Sequence, residues 1–228
     1  MKFIVFGLGH FGSALSQKLV KLGHEVIGVD NNPDLVDKYK GMITHTIQMD
    51  ATSRDAMNVL PLKDTDAVVV GIGENEGVNV MTTALLKDLG VERLICRVTS
   101  PLQKTILEAM NIKEFSEPEA DSAERLAYKL DFKGALDSFR VSDEFQLLEV
   151  LLPARCEEKK VSDLELREKY NLQLVTVLRG QLTKRVFGSP KEELKVLGIV
   201  EGTLRLKPGD ILLLFGKGDD LERFIEER

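Results

Sequence analysis

A glycine-rich turn near the start of the chain constrains its fold more than any other feature. The turn lies between an apolar, β-forming run at residues 2–6 and an amphipathic segment that ends at Gly23, and it reads Gly7-Leu8-Gly9-His10-Phe11-Gly12. In this GxGxxG pattern the first glycine permits a tight turn, the second lets a pyrophosphate approach the backbone, and the third lets helix and strand pack closely. The helix that follows presents unpaired N–H groups and a positive dipole end. The turn therefore predicts a strand–loop–helix unit that binds phosphate.

An acid at the end of the second predicted strand indicates what else the ligand contains. Asp30 closes the run at residues 25–29, and Asn31 adjoins it. A carboxylate at this position accepts hydrogen bonds from the ribose hydroxyls and repels a 2′-phosphate. We therefore expect an adenine nucleotide (AMP, ADP, ATP or NAD(H)) rather than NADP. The alternative is purely structural: the glycines only form a turn, and Asp30 only caps a helix.

Two further loops follow predicted strands and extend the candidate site. Met49-Asp50-Ala51-Thr52 follows the third strand, and Gly71-Ile72-Gly73 follows the apolar run Ala67–Val70. In open α/β sheets, ligands bind at the carboxyl ends of the strands. Asp50 is therefore expected to flank the adenine or the ribose, the alternative being an ordinary loop acid. The candidate site includes the other residues of both loops: Ala51, Thr52, Gly71, Ile72 and Gly73.

Strand and helix patterns alternate about six times over residues 1–116, which predicts an α/β fold with a Rossmann-like, doubly wound parallel sheet. A long helix over residues 117–132 is expected to leave this sheet, and a small α+β module follows. The sequence predicts a nucleotide-binding domain at residues 1–135 and a small regulatory module at residues 136–228.

The second module is expected to contain a hairpin. Its strands are predicted at Leu172–Arg179 and Gln181–Val186, with the turn at Arg179-Gly180.

Composition excludes several classes of function. The 228 residues include 31 Lys and Arg against 37 Asp and Glu, a net charge of −6, so nonspecific nucleic-acid binding is disfavoured. The start of the chain does not resemble a signal peptide, and no apolar stretch approaches the roughly 20 residues that cross a bilayer. We expect a cytoplasmic protein without a transmembrane segment of its own.

The distribution of histidines argues against catalysis. All three (His10, His24 and His45) lie in the first predicted domain, and no Ser/His/Asp, Cys/His, HExxH or Walker pattern is present. A dehydrogenase needs a hydride partner and usually a general acid or base. We therefore predict a nucleotide sensor and not an enzyme, with an NAD-dependent oxidoreductase as the alternative.

Several short motifs, taken in order, carry a resemblance to a known family. They are Ile4–Gly12 with Asp30, Asp50-Ala51-Thr52, Ala67–Gly73, Asn79, Thr82–Leu86, Cys96-Arg97-Val98, Glu117-Pro118-Glu119 and Leu206–Leu213. On these motifs the chain resembles the cytosolic regulatory subunits of bacterial Trk/Ktr potassium-uptake systems, which carry a regulator of conductance of potassium (RCK) domain. The resemblance covers nearly the whole chain.

The resemblance implies a homo- or hetero-oligomeric ring, commonly an octamer, docked on the cytoplasmic face of a membrane potassium-transporting subunit. It implies that Asn79 belongs to the nucleotide site, that Arg97 lies near the terminal phosphates, and that Glu119 binds a divalent cation at a subunit interface. Many ATP-responsive members have arginine where this chain has His10. Neutral histidine has no fixed charge, so AMP, ADP, ATP and NAD(H) all stay open. A nucleotide-binding regulator unrelated to potassium is a further alternative.

Overall fold

The computed structural model describes residues 1–131, 134–183 and 191–227. The chain divides into two compact units, Met1–Ala120 and Asp121–Arg228. Helix α6 (Pro118–Asp131) begins in the first unit and continues into the second. The domain boundary expected from the sequence, between residues 135 and 136, follows this helix.

The first unit is built on a six-stranded sheet in which every pair of neighbours is parallel. The strand order is β3-β2-β1-β4-β5-β6, so the chain reverses its direction of winding between β1 and β4. The strands are β1 (Lys2–Phe6), β2 (Glu25–Asp30), β3 (His45–Gln48), β4 (Ala67–Val70), β5 (Leu94–Arg97) and β6 (Glu114–Ser116). The predicted doubly wound parallel sheet is confirmed, and its reversal point is where such folds bind ligands.

Helices cover both faces of this sheet because its central strands are apolar on both sides. Ile4 and Val68 belong to one buried cluster, whereas their neighbours Val5 and Val69 belong to the other, as expected when successive side chains alternate between faces. The helices of this unit are α1 (His10–Lys21), α2 (Pro33–Tyr39), α3 (Arg54–Met57), α4 (Glu76–Asp88) and α5 (Pro101–Ala109), with a short 3-10 helix at Leu62–Asp64.

The second unit contains a five-stranded sheet in the order β10-β9-β11-β8-β7, and its strand pairs are antiparallel. Its core includes Leu148, Leu212, Leu214 and Phe224. The strands are β7 (Ala135–Arg140), β8 (Phe145–Leu151), β9 (Gln173–Thr183), β10 (Lys191–Val196) and β11 (Ile211–Lys217), and the helices are α7 (Leu166–Tyr170) and α8 (Gly218–Glu226). Short 3-10 helices lie at Ala154–Cys156 and Val161–Leu164. The predicted α+β module is confirmed.

The hairpin turn predicted at Arg179-Gly180 is wrong, because β9 runs through both residues without interruption. Gly180 pairs with Leu194 of β10 in the antiparallel ladder, and its φ is not positive. Arg179 is held by two hydrogen bonds to Asp210, which directly precedes β11. The end of the second predicted hairpin strand, at Val186, lies outside the described residues.

Among the described residues, no helix has the length and apolar character needed to cross a membrane.

Candidate nucleotide-binding site

The glycine loop is shaped by backbone approaches that leave no room for side chains at two of its three glycines. Gly7 has φ +90°, a left-handed conformation that favours glycine, and its N–H donates to the Val29 carbonyl at 2.8 Å. A Cβ on Gly12 would overlap the Gly7 carbonyl oxygen. These two glycines therefore close the loop and pack α1 against β1.

Gly9 differs from its neighbours because its side-chain direction is open. A Cβ placed there would meet no heavy atom within 4 Å, and its φ of −61° and ψ of −168° are accessible to any residue. Nothing in the fold of the described chain requires glycine at this position. The open space instead suits a ligand that approaches the backbone closely, the role predicted for the second glycine.

The start of α1 differs from the starts of the helices after β2 to β5. Those four helices are capped by the side chains of Asn32, Ser53, Asn75 and Ser100, each of which accepts a backbone N–H. By contrast α1 has Gly9 at its N-cap position, with no side-chain cap from the described residues and no acid in its first turn. Among the described residues no side chain accepts its first N–H groups, and the side-chain direction of Gly9 beside this positive dipole end is open.

Asp30 is oriented toward the same loop. Its Oδ2 accepts the Leu8 N–H at 2.6 Å and its Oδ1 accepts the Asn32 N–H at 2.8 Å. Each carboxylate oxygen has a further lone pair with which to accept a hydroxyl. The Leu8 side chain is fully buried, which fixes the loop that donates to Asp30. Asn31, the next candidate, is exposed.

The loop after β3 lies beside Asp30, because the Met49 N–H donates to the Asp30 carbonyl at 3.0 Å. Asp50 Oδ1 accepts the Thr52 N–H at 2.9 Å and the Thr52 hydroxyl at 2.7 Å. The backbone bond first, and then the hydroxyl bond, lower the pKa of Asp50 below its ordinary value. Ala51 is buried. Asp50 is thus an exposed carboxylate that also fixes its own turn.

Asn79 ties the ends of β4 and β5 together from inside the protein. It is fully buried, and its Nδ2 donates to the Ile72 carbonyl at 2.8 Å and to the Arg97 carbonyl at 3.2 Å. Within the described part of the chain its Oδ1 has no partner. Asn79 therefore positions the Gly71-Ile72-Gly73 loop beside Arg97.

The Arg97 side chain extends from the end of β5 toward the glycine loop. Its Cζ lies 5.6 Å from the centre of the Phe11 ring, and a Cβ on Gly73 would collide with its guanidinium. Its Nη1 lies 3.5 Å from the Gly71 carbonyl oxygen. The structure thus brings Arg97, the β4 loop and the glycine loop together.

Glu119 forms an ion pair with Arg97. Among the described residues, no group of three or more His, Cys, Asp or Glu side chains is arranged to hold a metal ion. The divalent-cation role expected for Glu119 stays a prediction.

Two polar residues near the site, Ser13 and Gln103, were not predicted from the sequence. The buried Ser13 hydroxyl donates to the Gly9 carbonyl at 2.7 Å. The buried Gln103 donates through Nε2 to the Arg97 carbonyl at 3.2 Å and accepts the Thr99 N–H at 2.8 Å. Ser13 lies one helical turn after Gly9, a spacing that sequence analysis can detect. The role of Gln103 cannot be predicted from helical spacing, because its partners Arg97 and Thr99 lie outside its helix α5.

Comparison with known proteins places this geometry in a family. Residues 3–118 match the TrkA-N domain family. The chain is 30% identical over 223 residues to the Ktr system potassium uptake protein C of Bacillus subtilis, with 98% of this chain and 95% of the relative covered. The chain belongs to the TrkA-N family of Ktr-type potassium-uptake regulators. The resemblance inferred from the motifs is therefore confirmed.

Solved structures show the same fold for this Ktr-type chain. The GsuK RCK domain covers 99% of the chain with a TM-score of 0.66 at 15% identity. The GsuK channel bound to NAD covers 100% of it with a TM-score of 0.65 at 14% identity. The Ktr-type chain spans only 48% and 39% of those two chains, so these likenesses concern the fold.

Proposed function

We propose that this chain is a cytoplasmic, nucleotide-sensing regulatory subunit that gates a membrane potassium-transporting subunit. The observation that carries the proposal is the uncapped start of α1, beside which the side-chain direction of Gly9 is open. Helix starts of this kind bind phosphate. Membership of the Ktr-type family supports the link to potassium, and the absence of a recognisable catalytic group in the sequence supports sensing over catalysis.

The residues of the first unit fit an adenine nucleotide. The backbone of Gly7–Gly12 would hold the phosphates, and Asp30 would accept the ribose hydroxyls. Asp50, Ala51 and Thr52 would flank the adenine or ribose. Arg97 would attract the distal phosphates, held in place by Asn79 and the Gly71-Ile72-Gly73 loop. AMP, ADP, ATP and NAD(H) all suit this arrangement, whereas Asp30 disfavours NADP. The bound nucleotide supplies charge and hydrogen-bonding groups, not a reaction.

Gating in this proposal requires an assembly. The chain would form a homo- or hetero-oligomeric ring, commonly an octamer in this family, docked on the inner face of the membrane, with a divalent cation bound by Glu119 at a subunit interface. A ligand shifts a conformational equilibrium only by its differential affinity for the two states. A tenfold preference supplies about 1.4 kcal/mol per site, and several sites add when a ring moves concertedly.

The test is potassium flux through the membrane subunit reconstituted in vesicles with this chain. We expect flux to change when AMP, ADP, ATP and NAD are exchanged. Arg97 or Asp30 variants that bind nucleotide poorly should lose that response. Equal flux with every nucleotide and with none would contradict the sensing mechanism.

A further inference from the structure

The second unit contains a cavity of about 420 Å³ at the end of its sheet where β8 begins and β11 ends. This volume lies in the range of small-molecule sites. Its wall includes Tyr128 of α6, Arg140 of β7, Gln146 of β8, Lys217 of β11 and Glu222 of α8, all of which belong to the second unit. The cavity is therefore separate from the candidate nucleotide site in the first unit.

The two cations that line this cavity already have carboxylate partners. The Arg140 guanidinium pairs with Glu124 and with Asp143, and the Lys217 ammonium pairs with Glu144. The wall therefore does not present a positive charge that requires an anionic ligand.

Negative charge, by contrast, is in excess around the cavity. Four carboxylates line it against two cations. Two of these carboxylates, Asp219 and Glu222, are exposed and stand three residues apart on α8, so they lie on one face of that helix. Among the described residues, neither has an ion-pair or hydrogen-bond partner for its side chain. The charge of the wall therefore favours a cation.

Gln146 gives an independent indication that a ligand occupies the cavity. Its side chain is only 7% exposed, and it lies on the same face of β8 as the buried Leu148, because side chains two residues apart share a face. Within the described chain its amide makes no side-chain hydrogen bond. Buried polar groups are normally hydrogen-bonded, and a buried amide without a partner is costly. A ligand that carries N–H groups would supply donors for the Gln146 oxygen.

The other groups at the cavity indicate which cation fits. Among the described residues, no group of three or more His, Cys, Asp or Glu side chains is arranged to hold a metal ion. The Phe145 ring already contacts Lys217, whose Nζ lies 5.4 Å from the ring centre, and stacks on Phe215 at 5.5 Å. Phe145 is thus engaged within the protein and does not form an aromatic cage for a quaternary ammonium. Hydrogen-bond acceptors dominate the remaining wall, which suits an ammonium group with N–H donors.

We propose that this cavity binds a small aliphatic di- or polyamine. Its ammonium groups donate to the carboxylates of Asp219 and Glu222 and to the side-chain oxygen of Gln146, and its alkyl chain packs beside Tyr128. Charge-assisted hydrogen bonds of this kind are stronger than neutral ones. The inference adds a second ligand site and does not depend on the nucleotide site.

Calorimetric titration of spermidine into the nucleotide-free full chain, in about 0.15 M KCl, tests the proposal. Nucleotide is left out because its phosphates also bind polyamines. Glu222→Gln should weaken binding about two- to fivefold, the range for an exposed ion pair. Gln146→Leu should weaken it about fivefold, the scale of one hydrogen bond, and circular dichroism verifies that this variant is folded.

Glu226 offers a matched control on the same helix. It is exposed, stands one turn after Glu222 on α8 and does not line the cavity. Glu226→Gln should therefore bind spermidine as wild type does. Among other probes, putrescine should bind, whereas butane-1,4-diol, which lacks charge, and choline, which lacks N–H donors, should bind at least tenfold more weakly than spermidine.

Several results would overturn the amine site. They are the absence of saturable spermidine binding, equal weakening by Glu226→Gln and Glu222→Gln, wild-type affinity in both Glu222→Gln and folded Gln146→Leu, and choline binding as tight as that of spermidine. Titration of ATP into Glu222→Gln should give wild-type affinity. Loss of the amine site would therefore leave the proposed nucleotide-sensing function intact, and the reverse also holds.

Discussion

Two of the protein's arginine–carboxylate pairs, Arg97–Glu119 in the first unit and Arg179–Asp210 in the second, differ in how completely the fold encloses the carboxylate. In the second unit the Asp210 side chain is 1% exposed. It accepts Arg179 Nε at 2.7 Å, Arg179 Nη2 at 2.6 Å and the Lys207 N–H at 2.8 Å. The side-chain hydrogen bonds between Arg179 and Asp210, more than any other effect, raise the pKa of Arg179. In the first unit, Glu119 reaches Arg97 from solvent.

The Arg179–Asp210 pair stabilises the second unit internally, whereas the Arg97–Glu119 pair lies where the first unit is open to a ligand. Asp210 joins β9 to the turn before β11, and its hydrogen-bonding capacity is used internally. The sheet edge of the first unit instead leaves the start of α1 uncapped and pairs Arg97 with an exposed acid. A buried carboxylate such as Asp210 leaves an uncompensated charge when its pair is broken, whereas Glu119, whose side chain is 66% exposed, is hydrated by solvent when it leaves Arg97.

The largest loss of stability is expected for Asp210→Ala. It should lower the free energy of unfolding of the second unit by about 3 kcal/mol, the lower end of the range for a broken buried pair, because Arg179 keeps some contact with water. Denaturant unfolding followed by circular dichroism measures the change. Glu144→Gln, which breaks the exposed pair with Lys217, should change stability by no more than about 0.5 kcal/mol. Equal losses in the two variants would show that burial of the carboxylate does not determine how much such a pair stabilises the unit.

An intermediate effect, on binding rather than folding, is expected for Asp30→Ala. The variant should lose about 1.5–3 kcal/mol of nucleotide affinity, the scale of hydrogen bonds to a charged group. Calorimetry measures this loss. Asp34→Ala removes an exposed acid from the neighbouring helix α2 and should bind nucleotide as wild type does. Tight binding of NADP by the wild-type protein would contradict the ribose role of Asp30.

The sequence predicted the parts of the fold that local spacing encodes. GxGxxG followed by an acid at Asp30 located the loop and its carboxylate, because both lie at strand ends within one strand–helix–strand unit. Ser53, which caps α3 by accepting the Ala56 N–H, is likewise of a residue type that favours this position.

Contacts between segments far apart in the chain could not be predicted from sequence spacing. The turn predicted at Arg179-Gly180 is wrong because β9 continues through both residues, where Gly180 pairs with Leu194 of β10 and Arg179 bonds to Asp210, 31 residues later. The internal role of Asn79 depends on carbonyl groups from two separate strand ends. The pairing of Arg97 with Glu119 likewise required the packing of the sheet edge to be known. Sequence spacing therefore located candidate residues but not the partners they use.

A small change in stability, with the most informative change in binding, is expected at Gly9. Since a Cβ there meets nothing within 4 Å, Gly9→Val should cost at most about 1 kcal/mol of folding stability, the scale of a helix-cap substitution. Its side chain would nevertheless fill the space proposed for phosphate. Gly12→Ala is the contrasting variant, because its Cβ would overlap the Gly7 carbonyl oxygen and should disrupt the loop itself.

Titration of adenine nucleotides into folded Gly9→Val protein tests the central claim most directly. If the open start of α1 is the phosphate site, binding is lost in calorimetry while the thermal unfolding of the ligand-free variant stays close to that of wild type. Wild-type affinity in the folded variant would show that nucleotide does not bind at the glycine loop, and would contradict the account.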